Sequence, residues 1–347
     1  MSDKMTSMDR VLTALDHEVP DQVPLLLFLT THGAKELNLS IKEYFSNPEN
    51  VIEAQLILRE KYNNDCVNPF YYSSIELEAW GGKTIFFEDG PPNAGPPVIK
   101  SPQEIESLEV PSIEEAEGLQ RVIKTIEGLK EEVQEEVPIL GTIVSPFSLP
   151  IMQMGFSHYL DLIYDEPDLF EKLMEKNEEF SANWANAQLK AGATAIGYAD
   201  PMSSPSMIPR ELFLKTGFQI ASRMSENIDG DMAIHLASGR TLSIIDDLKK
   251  TGILMVGISA HEDLSKLKEK CGKDLAILGN LNGIEMCRWR PDQAEQAVKR
   301  CIAQAAEGGG FILSDNHGEI PYQVQESVLN AIKNAVEKWG KYPLDWI

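Results

Sequence analysis

Short apolar runs that open onto polar tips recur along this chain. VPLLLFLTTH (23–32), DCVNPFYY (65–72), VPILGTIVSP (137–146), ATAIGYADP (193–201), MAIHLASG (232–239), GILMVGISAH (252–261) and DLAILGNLNG (274–283) share the pattern, and GGGFILSDNHGEIP ends the series at Pro321. Between them lie stretches with helical periodicity or helix start signals, at 46–62, 101–136, 167–191, 210–225, 241–250, 264–271 and 291–307, with 323–339 after the last run. Eight strands alternating with helices predict an α/β protein, a (β/α)8 TIM barrel, with an open doubly wound sheet as the other arrangement of such units. A short N-terminal helical segment (5–17), which Ser7 can cap, precedes the barrel. A small extended insertion follows strand two, in SSIELEAWGGKTIFFEDGPPNAGPPVIK (73–100). One domain over residues 1–347 is expected.

A barrel of this kind assembles its active site from the loops at the C-terminal ends of its strands, so the polar tips carry the candidates. His235 ends strand five inside an apolar run, where it is either a core residue or a group directed into the mouth. His317 lies in the tip of strand eight, Ser314 to Glu319. Two imidazole nitrogens meeting across the mouth suit zinc, and a carboxylate would complete a three-ligand set with an open position. Glu76 and Glu78 are the candidates for that carboxylate. If their segment is extended they point the same way; if it is helical they are surface residues. Asp200 at the tip of strand four is a catalytic candidate or a cap on its own loop, and Asp315 is placed to orient His317. His32, Phe70, Tyr71 and Tyr72 give the mouth an aromatic side for a flat small molecule, and Asn280 can hydrogen-bond a substrate.

Composition narrows the partners. With 54 acidic against 31 basic residues the net charge is −23, so neither nucleic acid nor an anionic membrane surface is an expected partner. No long apolar run and no signal-peptide pattern occur, and Cys66, Cys271, Cys287 and Cys301 form no CxxC. A soluble cytoplasmic protein is expected. GxGxxG after the first strand, GxxxxGK[ST] and HExxH are absent.

The stretches GATAIGYADPMSSPSMIPRELF, MAIHLASGRT, ILGNLNG and GGGFILSDNHGEIP, with SIELEAWG after strand two, resemble the uroporphyrinogen decarboxylase superfamily and its branch of cobamide-dependent methyltransferases. In zinc-bearing members strand five ends in His-x-Cys and strand eight carries a Cys before Gly. Here His235 is kept, Ala237 stands at the first cysteine and His317 at the second. The resemblance therefore implies either a lost metal or a nitrogen and oxygen ligand set. It implies a catalytic methyltransferase working with a corrinoid (cobalamin) on a partner protein and a small-molecule methyl donor or acceptor. A methoxylated aromatic or other O-methyl donor is the expected substrate. A methylcobamide:thiol or tetrahydrofolate methyltransferase, or a metal-free binding barrel, is the alternative. The decarboxylase itself fits poorly, because LLLFLTTHGAKEL offers no arginine and only Lys35 to a polycarboxylated tetrapyrrole.

Overall fold

The computed structural model describes residues 5–347 and shows the parallel barrel that the strand and helix rhythm predicts. Its strands are β1 (Leu25–Leu26), β4 (Leu140–Val144), β5 (Ala195–Ala199), β6 (Met232–His235), β7 (Met255–Gly257), β8 (Ala276–Leu278) and β9 (Phe311–Ser314). They form one sheet in the order β1-β9-β8-β7-β6-β5-β4, every pair parallel. A separate antiparallel hairpin of β2 (Thr84–Ile85) and β3 (Asn93–Ala94) lies in the insertion.

The expected second strand closes the ring without becoming a regular one. Toward β4 it makes a single parallel bridge, Val67 to Ile139, with N–H···O bonds of 3.0 Å from Val67 to Pro138 and from Leu140 to Val67. Toward β1, side chains replace most of the ladder. The Asp65 carboxylate accepts the Leu25 N–H at 2.9 Å, while Asn64 accepts the Leu27 N–H at 2.7 Å and donates to the Leu27 carbonyl at 3.1 Å. A strand edge whose backbone groups are met by side chains is as well satisfied as a laddered one, so the barrel closes there at little cost. Arg10 ties this seam to the first helix through Asp65 at 2.6 Å and Asp21 at 2.7 Å.

Several helices keep their expected bounds, among them Pro167–Ala191, ended by Gly192 at φ 118°, and Leu264–Cys271. Others differ for local reasons. The first helix, Ser7–Leu15, is capped by Thr6 in a reciprocal box with Asp9, leaving Ser7 to donate to Asp65 at 3.0 Å. The helix expected at 210–225 breaks at Thr216 into Arg210–Lys215 and Gly217–Asn227. The insertion is not extended throughout: residues Ser74–Ala79 are a helix whose first four residues are buried. No helix among the described residues is long and apolar enough to cross a membrane.

Candidate functional site

At the C-terminal ends of the strands the barrel encloses a cavity of about 310 Å³. Phe28, Phe70, Leu140, Met152, Met255 and Leu278 make much of its wall. Among the described residues, the titratable side chains on it are His235, His317 and Glu319, and no Lys or Arg lines it.

Parallel pairing with β5 and β7 fixes His235 at the last residue of β6, where its backbone carbonyl accepts the Asp200 N–H at 2.9 Å. Missing side chains make room for its ring. A Cβ at Gly257 of β7 would overlap Cδ2 of the imidazole, and one at Gly318 would lie 3.4 Å from Cε1. Phe28 meets the ring edge-on at 6.2 Å. Nδ1 accepts the N–H of Ala237 at 3.1 Å, and Nε2 is buried with no partner. Burial, with His317 nearby as a second cause, pushes the ring's pKa down to about 4, so it is neutral near pH 7.

His317 and Glu319 come from the tip beyond β9. Asp315 holds this tip by accepting the His317 N–H at 2.8 Å and the Gly318 N–H at 2.9 Å. Its carboxylate thus orients the backbone of His317 and leaves the ring to Ser238, whose hydroxyl contacts Nδ1. Burial raises the Asp315 carboxyl to about 7, and its second oxygen is unpartnered. Glu319 is also shifted upward by burial, while the Thr31 hydroxyl donates to it at 3.2 Å. Of the three cavity groups Glu319 is the one sequence reasoning did not select. Its signal was its place in the same tip as His317, two residues on.

The remaining expected site residues do not line the cavity. Asp200 is fully buried and accepts the hydroxyls of Ser145 and Ser148, each at 2.7 Å, and of Ser203, so its acceptor capacity is used inside the protein. Tyr71 is core, bonded to Thr125 at 2.8 Å and packed on Phe45. Tyr72 donates to Glu78 at 3.2 Å. His32 is buried beside Tyr322 with both ring nitrogens unpartnered, and burial lowers it to about 3. Asn280 donates to the Ser259 carbonyl at 3.0 Å.

The expected third metal ligand does not arrive. Glu76 and Glu78 sit on a helix, where residues two apart point in nearly opposite directions, and not on the extended segment that would have aligned them. Glu76 is buried, accepts the Val144 N–H at 2.8 Å and is pushed up to about 8 by that burial. Glu78 faces Arg121 at 3.8 Å. Among the described residues no three His, Cys, Asp or Glu side chains come together as a metal-holding group. The residues present therefore do not fit a three-ligand zinc.

Comparison with known proteins places this geometry. The family model for uroporphyrinogen decarboxylase (URO-D) matches residues 6–339. The chain belongs to the uroporphyrinogen decarboxylase family. It is 28% identical over 261 residues to the uroporphyrinogen decarboxylase of Geotalea uraniireducens, covering 73% of this chain and 74% of that protein. It is 25% identical over 338 residues to the methylcobamide:CoM methyltransferase of Methanosarcina barkeri, covering 94% and 96%. A solved methyltransferase from Methanosarcina mazei superposes with a TM-score of 0.85 at 22% identity, covering 96% of this chain and 99% of that one. The family thus includes proteins of different named activities, so the cavity has to discriminate between them.

Proposed function

We propose that this member of the URO-D family is a corrinoid-dependent methyltransferase. It exchanges a methyl group between a small, uncharged, largely apolar molecule held in the cavity and a cobamide carried by a separate protein. The absence of any Lys or Arg from the cavity wall among the described residues carries this reading. A polycarboxylated tetrapyrrole needs cationic partners when it leaves water, and an unpaired buried carboxylate is strongly disfavoured. A small apolar molecule needs only the phenyl and aliphatic wall, with a few polar groups to orient it. Near full-length likenesses at 25% identity, to a methylcobamide-using methyltransferase and to a uroporphyrinogen decarboxylase alike, leave this choice to the cavity.

The cobamide enters as a co-substrate whose cobalt gives or takes the methyl carbon. The chain's own task is to seat the other reactant and manage its proton. When a thiol or phenol accepts methyl, its S–H or O–H bond breaks as the bond to carbon forms, the broken cobalt–carbon pair stays on cobalt, and the proton needs a base. Glu319 and His317 stand on the cavity wall for that role. Lacking an assembled ligand set, the proposed step is not routed through zinc.

A second reading runs the transfer the other way, from an O-methyl aromatic to the reduced cobamide, and the two phenyl rings Phe28 and Phe70 on the wall favour an aromatic guest. One assay separates the directions. Purified protein is mixed with methylcobalamin and a panel of neutral thiols and phenols, and separately with cob(I)alamin and methoxybenzenes, following the cobalamin absorbance spectrum. Turnover in one arm, lost in Glu319→Gln/His317→Ala, is expected. Uroporphyrinogen decarboxylation without cobalamin turnover would sink the proposal.

A further inference from the structure

The turn after β6 settles which ring nitrogen of His235 carries the proton. A neutral imidazole has one N–H, and a nitrogen that accepts a hydrogen bond has none. Ala237 donates its N–H to Nδ1 at 3.1 Å, so the proton sits on Nε2. The turn is built for this contact: Ala237 is held at φ 49°, a left-handed conformation that a residue with a Cβ adopts only when its surroundings impose it. Turning the ring over would set a C–H against the Ala237 amide and forfeit the bond. The ring occupies space that side chains would fill, since a Cβ at Gly257 would overlap Cδ2 and one at Gly318 would come to 3.4 Å from Cε1.

We propose that His235 meets the substrate as a fixed hydrogen-bond donor through Nε2–H, so that the cavity selects an apolar molecule bearing one acceptor atom, an ether or phenolic oxygen or a sulfur. This rests on the functional reading above and adds the class of substrate atom recognised. A histidine that binds metal through one nitrogen as a rule donates the other N–H to a carbonyl or carboxylate. His235 has the reverse arrangement, since its second nitrogen receives an amide N–H. Moving the proton to Nδ1 to free Nε2 for a metal would bring two donors face to face. The Nε2–H is buried and unpartnered, an unfavourable state until an acceptor arrives. On a wall that is otherwise mostly apolar, the guest is the source of that acceptor.

Side-chain nitrogen NMR on protein labelled with 15N-histidine tests this, the His235 signals being assigned by their loss in His235→Gln. The expected result near neutral pH is a ring protonated at Nε2 and bare at Nδ1, unmoved by one equivalent of zinc. A proton on Nδ1, or a His235 signal that shifts with zinc, overturns the proposal. Binding gives a second arm, because anisole and ethylbenzene match in shape and only anisole offers an acceptor. Wild type is expected to prefer anisole by about fivefold, the worth of one neutral hydrogen bond. His235→Gln, which keeps an N–H donor, should retain the preference, and His235→Leu should lose it. Equal affinity of the wild type for both compounds overturns it as well. Neither measurement involves methyl transfer. Failure of every cobalamin assay with these results intact would remove the functional reading alone.

Discussion

The ends of β5 and β6 are neighbours, joined by the bond from the Asp200 N–H to the His235 carbonyl, and the chain treats them in opposite ways. Asp200, just past β5, is enclosed by three serine hydroxyls, two of them from the loop after β4 and one from its own turn. His235 receives one backbone N–H, is given room by two glycines and keeps Nε2 without a partner. A titratable residue at the C-terminal end of a barrel strand is therefore not yet a functional group. What decides is whether the neighbouring loops exhaust its hydrogen-bonding capacity or leave some for a guest.

The largest effect that sharpens this contrast is expected at Asp200. Asp200→Ala strips the shared acceptor from Ser145, Ser148 and Ser203 and leaves buried hydroxyls without it. A loss of about 4 kcal/mol in urea unfolding is expected, from the cost of several unsatisfied buried groups. Unchanged stability would mean that the serines hold the turn without the carboxylate. The site side breaks differently. Gly257→Ala places a methyl group 2.2 Å from Cδ2 of His235, so the ring must leave its position while the strand remains. About a hundredfold fall in kcat/KM for methyl transfer is expected, equivalent to about 2.7 kcal/mol of transition-state binding, with a smaller loss of fold stability. Wild-type kinetics in this variant would show that the ring's placement does not matter.

The ring of eight tips was legible because each strand and its tip are contiguous in the chain, and local pattern reports them directly. His235 and His317 were legible for the same reason, each sitting at its own strand's end. The partners that disarm Asp200 were not: Ser145 and Ser148 reach it from more than fifty residues upstream, across a strand pairing that no local pattern encodes. The segment SIELEA failed for another reason. Its six residues bury Ile75, Leu77 and Glu76 together, so polar and apolar positions do not separate by period, and the packing beside β4 chose the helix. Glu319 was overlooked beside a histidine in the tip it shares.

Helix Ser74–Ala79 offers a third comparison, between its own two glutamates. Glu76 is buried and protonated to about pH 8, whereas an ordinary glutamate titrates near about 4.3. Between those values the folded state holds a proton that the unfolded state has released, so stability falls as pH rises through that window. Relative to Glu76→Gln, which cannot titrate and still accepts the Val144 N–H, the wild type should lose about 2 kcal/mol between about pH 6 and pH 8. Parallel pH–stability curves for the two proteins would refute a buried, proton-holding Glu76.

The smallest effect is expected at Glu78, and it decides the ligand set that the sequence suggested. The side chain is 27% exposed, pairs with Arg121 at 3.8 Å and accepts the Tyr72 hydroxyl at 3.2 Å. A partly exposed ion pair at that separation is screened by water and salt and gains little over the entropy of ordering two long side chains. Glu78→Ala should therefore change unfolding free energy by less than about 1 kcal/mol, a difference that shrinks further in high salt. Because Glu78 does not line the cavity, the anisole preference, the His235 tautomer and the cobalamin kinetics should all stay at wild-type values. Isothermal titration with zinc gives the contrary outcome its clearest form. If wild-type protein takes up one zinc and Glu78→Ala takes up none, the helix must reorganise to deliver this carboxylate to the histidines, and His235 is a ligand after all.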